Sequence, residues 1–276
     1  MERVTSVPTL LLAQLEVSAD KQENLSKVRH AFDTARGVGA ELLVLPEVAL
    51  AYLPSSASNA ERWEAAETLD GPILQEIRAL AQRSGVWAVL GMYERPPEPN
   101  PMRRVYSSVA VLDPAGDIAG VYRKTHLYDA FGHRESNEYL PGSEIFRPID
   151  TPFGKLGVLV CYELRFPEVA RVQALRGADL LVVPSAWYAG PLKEMHFELL
   201  VRARALENGV YVAACDQAGH GFIGRSVVAD PLGVPISMAS EQAGQYILAT
   251  TVHARVEDTR RAFPYQEQRR PDLYCG

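Results

Sequence analysis

Short aliphatic runs alternate with amphipathic stretches along this chain, and that alternation limits the fold more than any single residue does. Strand-like runs occur at "VPTLLLAQL" (7–15), "AELLVLPE" (40–47), "VWAVLGMY" (86–93), "SSVAVLDPAG" (107–116) and "KLGVLVCY" (155–162). They continue at "ADLLVVPSAW" (178–187), "VYVAACDQ" (210–217), "RSVVADPLG" (225–233) and "QYILATTV" (245–252). Helical periodicity fills 21–37, about 60–84, 166–176 and 193–208, the last closed by Asn208-Gly209. Strands that alternate with helices predict α/β layering rather than hairpins packed on hairpins. Within that pattern "SSVAVLDPAGDI" and "RSVVADPLGVPI" repeat one device, a strand, an Asp-Pro-x-Gly turn and a returning strand. The repeat predicts two pseudo-symmetric halves, each with one such hairpin. With no linker-like run between the halves, residues 1–276 read as one domain, and the polar stretch 256–276 as a C-terminal tail packed along another surface or subunit.

Charge excludes several partners. Against 28 Lys and Arg stand 34 Asp and Glu, a net charge of −6 with no basic block. Neither nucleic acid nor an anionic membrane surface is an expected partner, and no uncharged run approaches the ~20 residues a membrane span needs. Residues 7–15 lack a cleavage site and read as a first strand rather than a signal peptide. Cys161, Cys215 and Cys275 form no Cys-x-x-Cys and cannot all pair, which suits a reducing, cytoplasmic compartment. The six histidines show no metal-ligand spacing, so neither a metal nor another cofactor is expected. "GHGFIG" (219–224) fits a dinucleotide fingerprint but leads into a strand, where a pyrophosphate would need a helix N-terminus.

Cys161 stands where an aliphatic strand gives way to the charged "CYELRFPE", at the carboxyl end where open α/β sheets place their chemistry. Pro167 suits a first helical turn, so a helix N-terminus would lie near the thiol. Cys215, flanked by alanines, reads as structural. Glu47 closes another aliphatic strand, and Lys124 follows the first hairpin. Together the three supply a base, a cation for an oxyanion and a nucleophile. A Cys–His hydrolase using His196 or His220 and a non-catalytic scaffold remain as alternatives; no G-x-S-x-G elbow supports a serine hydrolase. The stripe Leu199, Ala203 and Leu206 on the 193–208 helix reads as core.

"LLVLPE", "YRKTHL" and "GVLVCYELRFPE", in that order, resemble the Glu, Lys and Cys motifs of the nitrilase superfamily of carbon–nitrogen hydrolases. "GADLLVVPSAW", "RARALENGVYV" and "DPLG" extend the likeness over residues 7–252. The resemblance implies a four-layer αββα sandwich and amide hydrolysis through a thioester, with Glu47, Lys124 and Cys161 as catalytic residues. A second glutamate of the family matches Glu135 in "RESNEYLPG", with Glu138 close by. It also implies a homo-oligomer, a dimer or larger, joined through the helices after Cys161 and at 193–208. Tyr162 stands where nitrile-hydrolysing members carry Trp, which favours a small-molecule carboxamide as substrate; N-carbamoyl compounds and nitriles are the alternatives. Glu163 replaces the usual Asp, Ser107 an Asn, and Ala51 a Gly. Tyr52, Tyr162, Trp187 and Tyr188, with the 128–138 loop, are the expected substrate walls. They suit an apolar acyl chain, whereas a dicarboxylate ω-amide would need Arg165, Arg134 or Lys193.

Overall fold

A computed structural model describes residues 8–274, so Cys275 lies outside the described residues. The first half runs β1 (Thr9–Gln14), α1 (Lys21–Gly37), β2 (Leu42–Val44), α2 (Asn59–Ala65), α3 (Pro72–Ser84), β3 (Trp87–Glu94), β4 (Tyr106–Leu112) and β5 (Ile118–Arg123). The second runs β6 (Ile149–Thr151), β7 (Gly154–Val158), α4 (Pro167–Leu175), β8 (Leu180–Ser185), α5 (Lys193–Asn208) and β9 (Tyr211–Asp216). A two-residue pair follows, β10 (Ala218–Gly219) with β11 (Phe222–Ile223), then β12 (Val227–Ala229), β13 (Pro235–Met238), β14 (Gln245–Thr250), α6 (His253–Ala262) and α7 (Tyr265–Gln268).

The strands form two six-stranded sheets, in the orders β14-β1-β2-β3-β4-β5 and β6-β7-β8-β9-β12-β13. Each has an antiparallel edge strand, three parallel strands and an antiparallel hairpin. The two Asp-Pro-x-Gly turns match bond for bond. In one, the Asp113 carboxylate accepts from the N–H groups of Ala115 and Asp117; in the other, Asp230 accepts from Leu232 and Val234, all at 2.9 Å. Gly116 and Gly233 take positive φ, 83° and 73°, where a side chain would be strained. The internal echo is therefore a structural repeat.

Parallel strands covered on both faces read as unbroken aliphatic runs. Leu10, Leu12, Leu42 and Val44 face the other sheet, while Leu11, Ala13, Leu43 and Leu45 pack with α1 and α3. On the far side Val169, Ala170, Phe197 and Val201 lay α4 and α5 over the second sheet. Helix, sheet, sheet and helix make the four layers, each buried aliphatic side chain contributing about 1.5–3 kcal/mol. No helix among the described residues is long and apolar enough to cross a membrane.

Three expectations are corrected. The single helix at 60–84 is two, because Glu67 forms a bridge with Glu94 and Gly71-Pro72 starts a new helix. Strand β7 ends at Val158, and Cys161 opens a 3-10 turn, Cys161–Arg165. The Leu199 and Leu206 stripe is not core: those side chains are 58% and 55% exposed, and Phe197, Val201 and Ala205 form the buried face instead. The tail packs on its own chain, where Arg260 pairs with Asp179 (2.9 Å).

Candidate active site

Glu47 sits just past β2, where its N–H reaches across to the Ser185 carbonyl of the other sheet (3.3 Å). Gly91 of β3 lets the Glu47 backbone lie directly against that strand, since a Cβ there would collide with the Glu47 carbonyl. Lys124 directly follows β5, its N–H bonded to the Ser107 carbonyl at 2.9 Å and its side chain buried. The ammonium donates to Glu47 Oε1 at 2.8 Å and to Glu135 Oε1 at 3.0 Å. Ser107 Oγ (3.1 Å) and the Ala186 N–H (3.1 Å) also donate to Glu47, and the Tyr128 N–H fixes Glu135 at 2.7 Å. Glu138 is engaged elsewhere, paired with buried Arg62 at 2.6 Å. Of the two sequence candidates, Glu135 is the one that meets Lys124.

Cys161 has φ of 45°, a left-handed conformation that costs a non-glycine residue about 1–2 kcal/mol. The sharp turn sets the buried thiol within electrostatic reach of the Glu47 carboxylate and the Lys124 ammonium. Burial, then the Glu47 charge, pushes the thiol well above its ordinary pKa, with Lys124 opposing. Burial likewise raises Glu47 against the pull of Lys124. For Lys124 burial acts downward, but Glu135 and Glu47 outweigh it and hold the ammonium charged. The pattern is a neutral thiol near a carboxylate whose basicity has been raised, with a fixed cation alongside. Tyr162 N–H, in the first turn after Cys161, has no acceptor among the described residues.

Glu163 ties the Lys124 and Cys161 loops together. Its Oε1 accepts from Thr125 N–H (2.8 Å), next to Lys124, and its Oε2 from Val160 N–H (2.9 Å), next to Cys161. Sequence reasoning noticed Glu163 only as an Asp replacement; its position two past Cys161 was the available signal. The Ala186 N–H carried no side-chain signal at all. Trp187, whose N–H bonds buried Asp216 at 2.7 Å, belongs to the same stretch.

Two hollows meet at Glu135, Ala186 and Tyr188. One, about 300 Å³, contains Cys161 and is lined by Tyr162, Trp187, Tyr128, Arg165 and Lys193. Arg165 lies 4.8 Å over the Trp187 ring, and its Nε and Nη2 have no hydrogen-bond partner among the described residues. Lys193 Nζ sits 3.1 Å from the Tyr128 hydroxyl. The other, about 390 Å³, contains Glu47. Tyr162, Trp187 and Tyr188 thus line the same hollow as Cys161. Tyr52 lines the second hollow, because the segment after Glu47 runs along that side. Arg134 is exposed and lines neither hollow, and neither do His196 and His220. Cys215 is buried, its thiol donating to the Ala13 carbonyl at 3.3 Å.

Residues 9–261 match the family model described as carbon-nitrogen hydrolase. The chain belongs to that family. A deaminated glutathione amidase from Rattus norvegicus is 34% identical over 97% of this chain and 84% of its own. The C. elegans NitFhit structure superposes with a TM-score of 0.88 at 29% identity, over 97% of this chain and 66% of that one. A mutant amidase from Nesterenkonia sp. AN1 has a TM-score of 0.76 at 25% identity, over 98% of this chain and 100% of its own; its cysteine carries the acetamide moiety of fluoroacetamide. This member of the carbon–nitrogen hydrolase family is an enzyme that acts on non-peptide carbon–nitrogen bonds.

Proposed function

We propose that this carbon–nitrogen hydrolase cleaves a carboxamide to carboxylate and ammonia through a thioester on Cys161. The reading rests on one observation, the buried Lys124 ammonium held between Glu47 and Glu135 beside the buried Cys161 thiol. Cys161 Sγ attacks the carbonyl carbon as Glu47 takes the thiol proton. Lys124 and the Tyr162 N–H receive the oxyanion, each good donor contributing roughly 3–4 kcal/mol. The C–N bond breaks as Glu47 gives the proton to the departing nitrogen. Water then attacks the thioester, its proton passing to Glu47 and on to sulfur. Glu135 orients Lys124 and the amide nitrogen without exchanging protons.

The nucleophile's hollow supports a substrate whose acyl group carries a carboxylate, since Arg165 and Lys193 both line it. This moves the expectation from a purely apolar acyl chain toward an acid-bearing one. The rat relative's substrate, deaminated glutathione, contains carboxylates and so fits that class. Intact-mass spectrometry after brief mixing with such an amide should show an acyl adduct that Cys161→Ala lacks. Unchanged ammonia release by Cys161→Ala would end the reading. We further read the exposed Leu199 and Leu206 of α5 as the seat of a homo-oligomer.

A further inference from the structure

The thiol and its base face different hollows. Cys161 opens on the hollow with Arg165 and Lys193, while Glu47 lines the neighbouring one together with Ser107, Glu138 and the rings of Tyr52, Tyr93 and Tyr139. The chemistry of the two is opposite. The first offers two cations. The second offers hydrogen-bond acceptors and aromatic faces, and its one basic side chain is His133, which burial holds below its ordinary pKa. Glu138 is already matched by Arg62, so its carboxylate adds an acceptor rather than a loose charge.

A scissile amide has its own polarity. Its carbon must sit on Cys161, and its nitrogen must lie toward Glu47 and Glu135, the groups that protonate and orient it. Beyond that nitrogen, the second hollow is the space available. From the acceptors on its walls and its position behind the base, we propose that this second hollow is a binding site for the amine side of the reaction. It would take ammonia or ammonium as it leaves, and a small primary amine as either leaving group or incoming nucleophile. Carboxylates and phenol hydroxyls satisfy the N–H groups of an amine, and aromatic rings attract an alkylammonium. This rests on the thioester reading above.

The incoming-nucleophile step makes the site testable. Hydroxylamine attacks the thioester carbonyl through its nitrogen lone pair, the C–S bond breaks, and the nitrogen's proton passes through Glu47 to the leaving thiolate, giving a hydroxamate. Leu53, half-buried at the wall of the second hollow and absent from the first, sets how large that amine can be. Leu53→Ala should raise the hydroxamate-to-carboxylate ratio for O-methylhydroxylamine relative to hydroxylamine about tenfold. The inhibition constant of the product acid should stay as in the parent. Arg165→Ala should do the reverse, weakening the product acid and leaving amine selectivity alone. Amine selectivity unchanged in Leu53→Ala, or a shift in product-acid inhibition in its place, would overturn the proposal. A crystal soaked in ethylammonium gives a second readout that needs no turnover: density beside Glu138 and Tyr139 is expected, and density only beside Arg165 and Lys193 would refute it. Parent enzyme that releases ammonia from no amide would instead sink the thioester reading, a distinguishable result.

Discussion

Replacing Glu163 with Gln should weaken both the fold and the chemistry, in a way that pH reports. Glu163 Oε1 accepts from the Tyr122 hydroxyl (2.7 Å), the Thr125 N–H (2.8 Å) and the Thr125 hydroxyl (2.6 Å), and Oε2 accepts from the Val160 N–H (2.9 Å). A glutamine has one acceptor oxygen. If that oxygen keeps Thr125 and Tyr122, its NH₂ group faces the Val160 N–H, donor against donor. One buried N–H is then unsatisfied and the surviving bonds lose their charge, together about 2–4 kcal/mol. Thr125 adjoins Lys124 and Val160 adjoins Cys161, so a loosened tie moves cation and nucleophile apart, at roughly 10²-fold in kcat. Burial alone would raise the Glu163 pKa, but hydrogen bonds from His126, Thr125 and Tyr122 outweigh it and hold it below its ordinary 4.5. A carboxylate with a lowered folded pKa contributes stability above its unfolded pKa and loses it as pH falls through the folded one. Urea unfolding should therefore show parent and Glu163→Gln well separated at about pH 7, converging as the pH drops below about 4. A separation that does not narrow in acid would refute the charged-tie argument. Unchanged kcat would refute its link to the site.

Lys124→Met should abolish turnover and leave Glu47 and Glu135 facing each other without their cation. Because the folded pKa of Lys124 is raised, its stabilisation is complete below the unfolded value and is lost as pH rises through the folded one, so parent and variant should converge in stability only in strong alkali. Gly91→Ala forces a Cβ into the Glu47 carbonyl, and calorimetry should record a loss of about 1–3 kcal/mol together with reduced activity. Leu199→Asp combined with Leu206→Asp should leave the fold intact by circular dichroism and shift the light-scattering mass toward 30.4 kDa, the mass of one chain. A parent already at that mass would reject the α5 interface.

How much of this was legible in the sequence differs by physical cause. The strands were readable because both faces of Leu10–Ala13 and Leu42–Leu45 are buried, which writes the strand as an aliphatic run. The hairpin repeat was readable because Asp-Pro-x-Gly encodes its own hydrogen bonds. Glu47, Lys124 and Cys161 were marked by charge or thiol at strand ends. Orientation on α5 was not readable. Its inner face includes Arg204, which donates to the Leu164 carbonyl (2.9 Å), and Asn208, which donates to the Arg204 carbonyl (2.9 Å). Polar residues that find hydrogen bonds inside took the places where periodicity would have put the leucines. The split at 66–71 depends on a long-range bridge to β3, which no local window contains. Which hollow Tyr52 lines was unreadable for the same reason, since its surroundings, Phe222 and His220, come from far along the chain.

The doubled architecture also sets when activity can appear during folding. Glu47 and Lys124 come from the ends of β2 and β5 in one sheet, whereas Cys161 and the Ala186 N–H follow β7 and β8 in the other. Neither sheet carries both Cys161 and Glu47, the nucleophile and base of the proposed reaction. A refolding chain can regain its helices, its hairpins and even both separate sheets while remaining inert. On the proposed mechanism turnover needs the two sheets docked in register, so on refolding the return of activity should lag the return of helical circular dichroism.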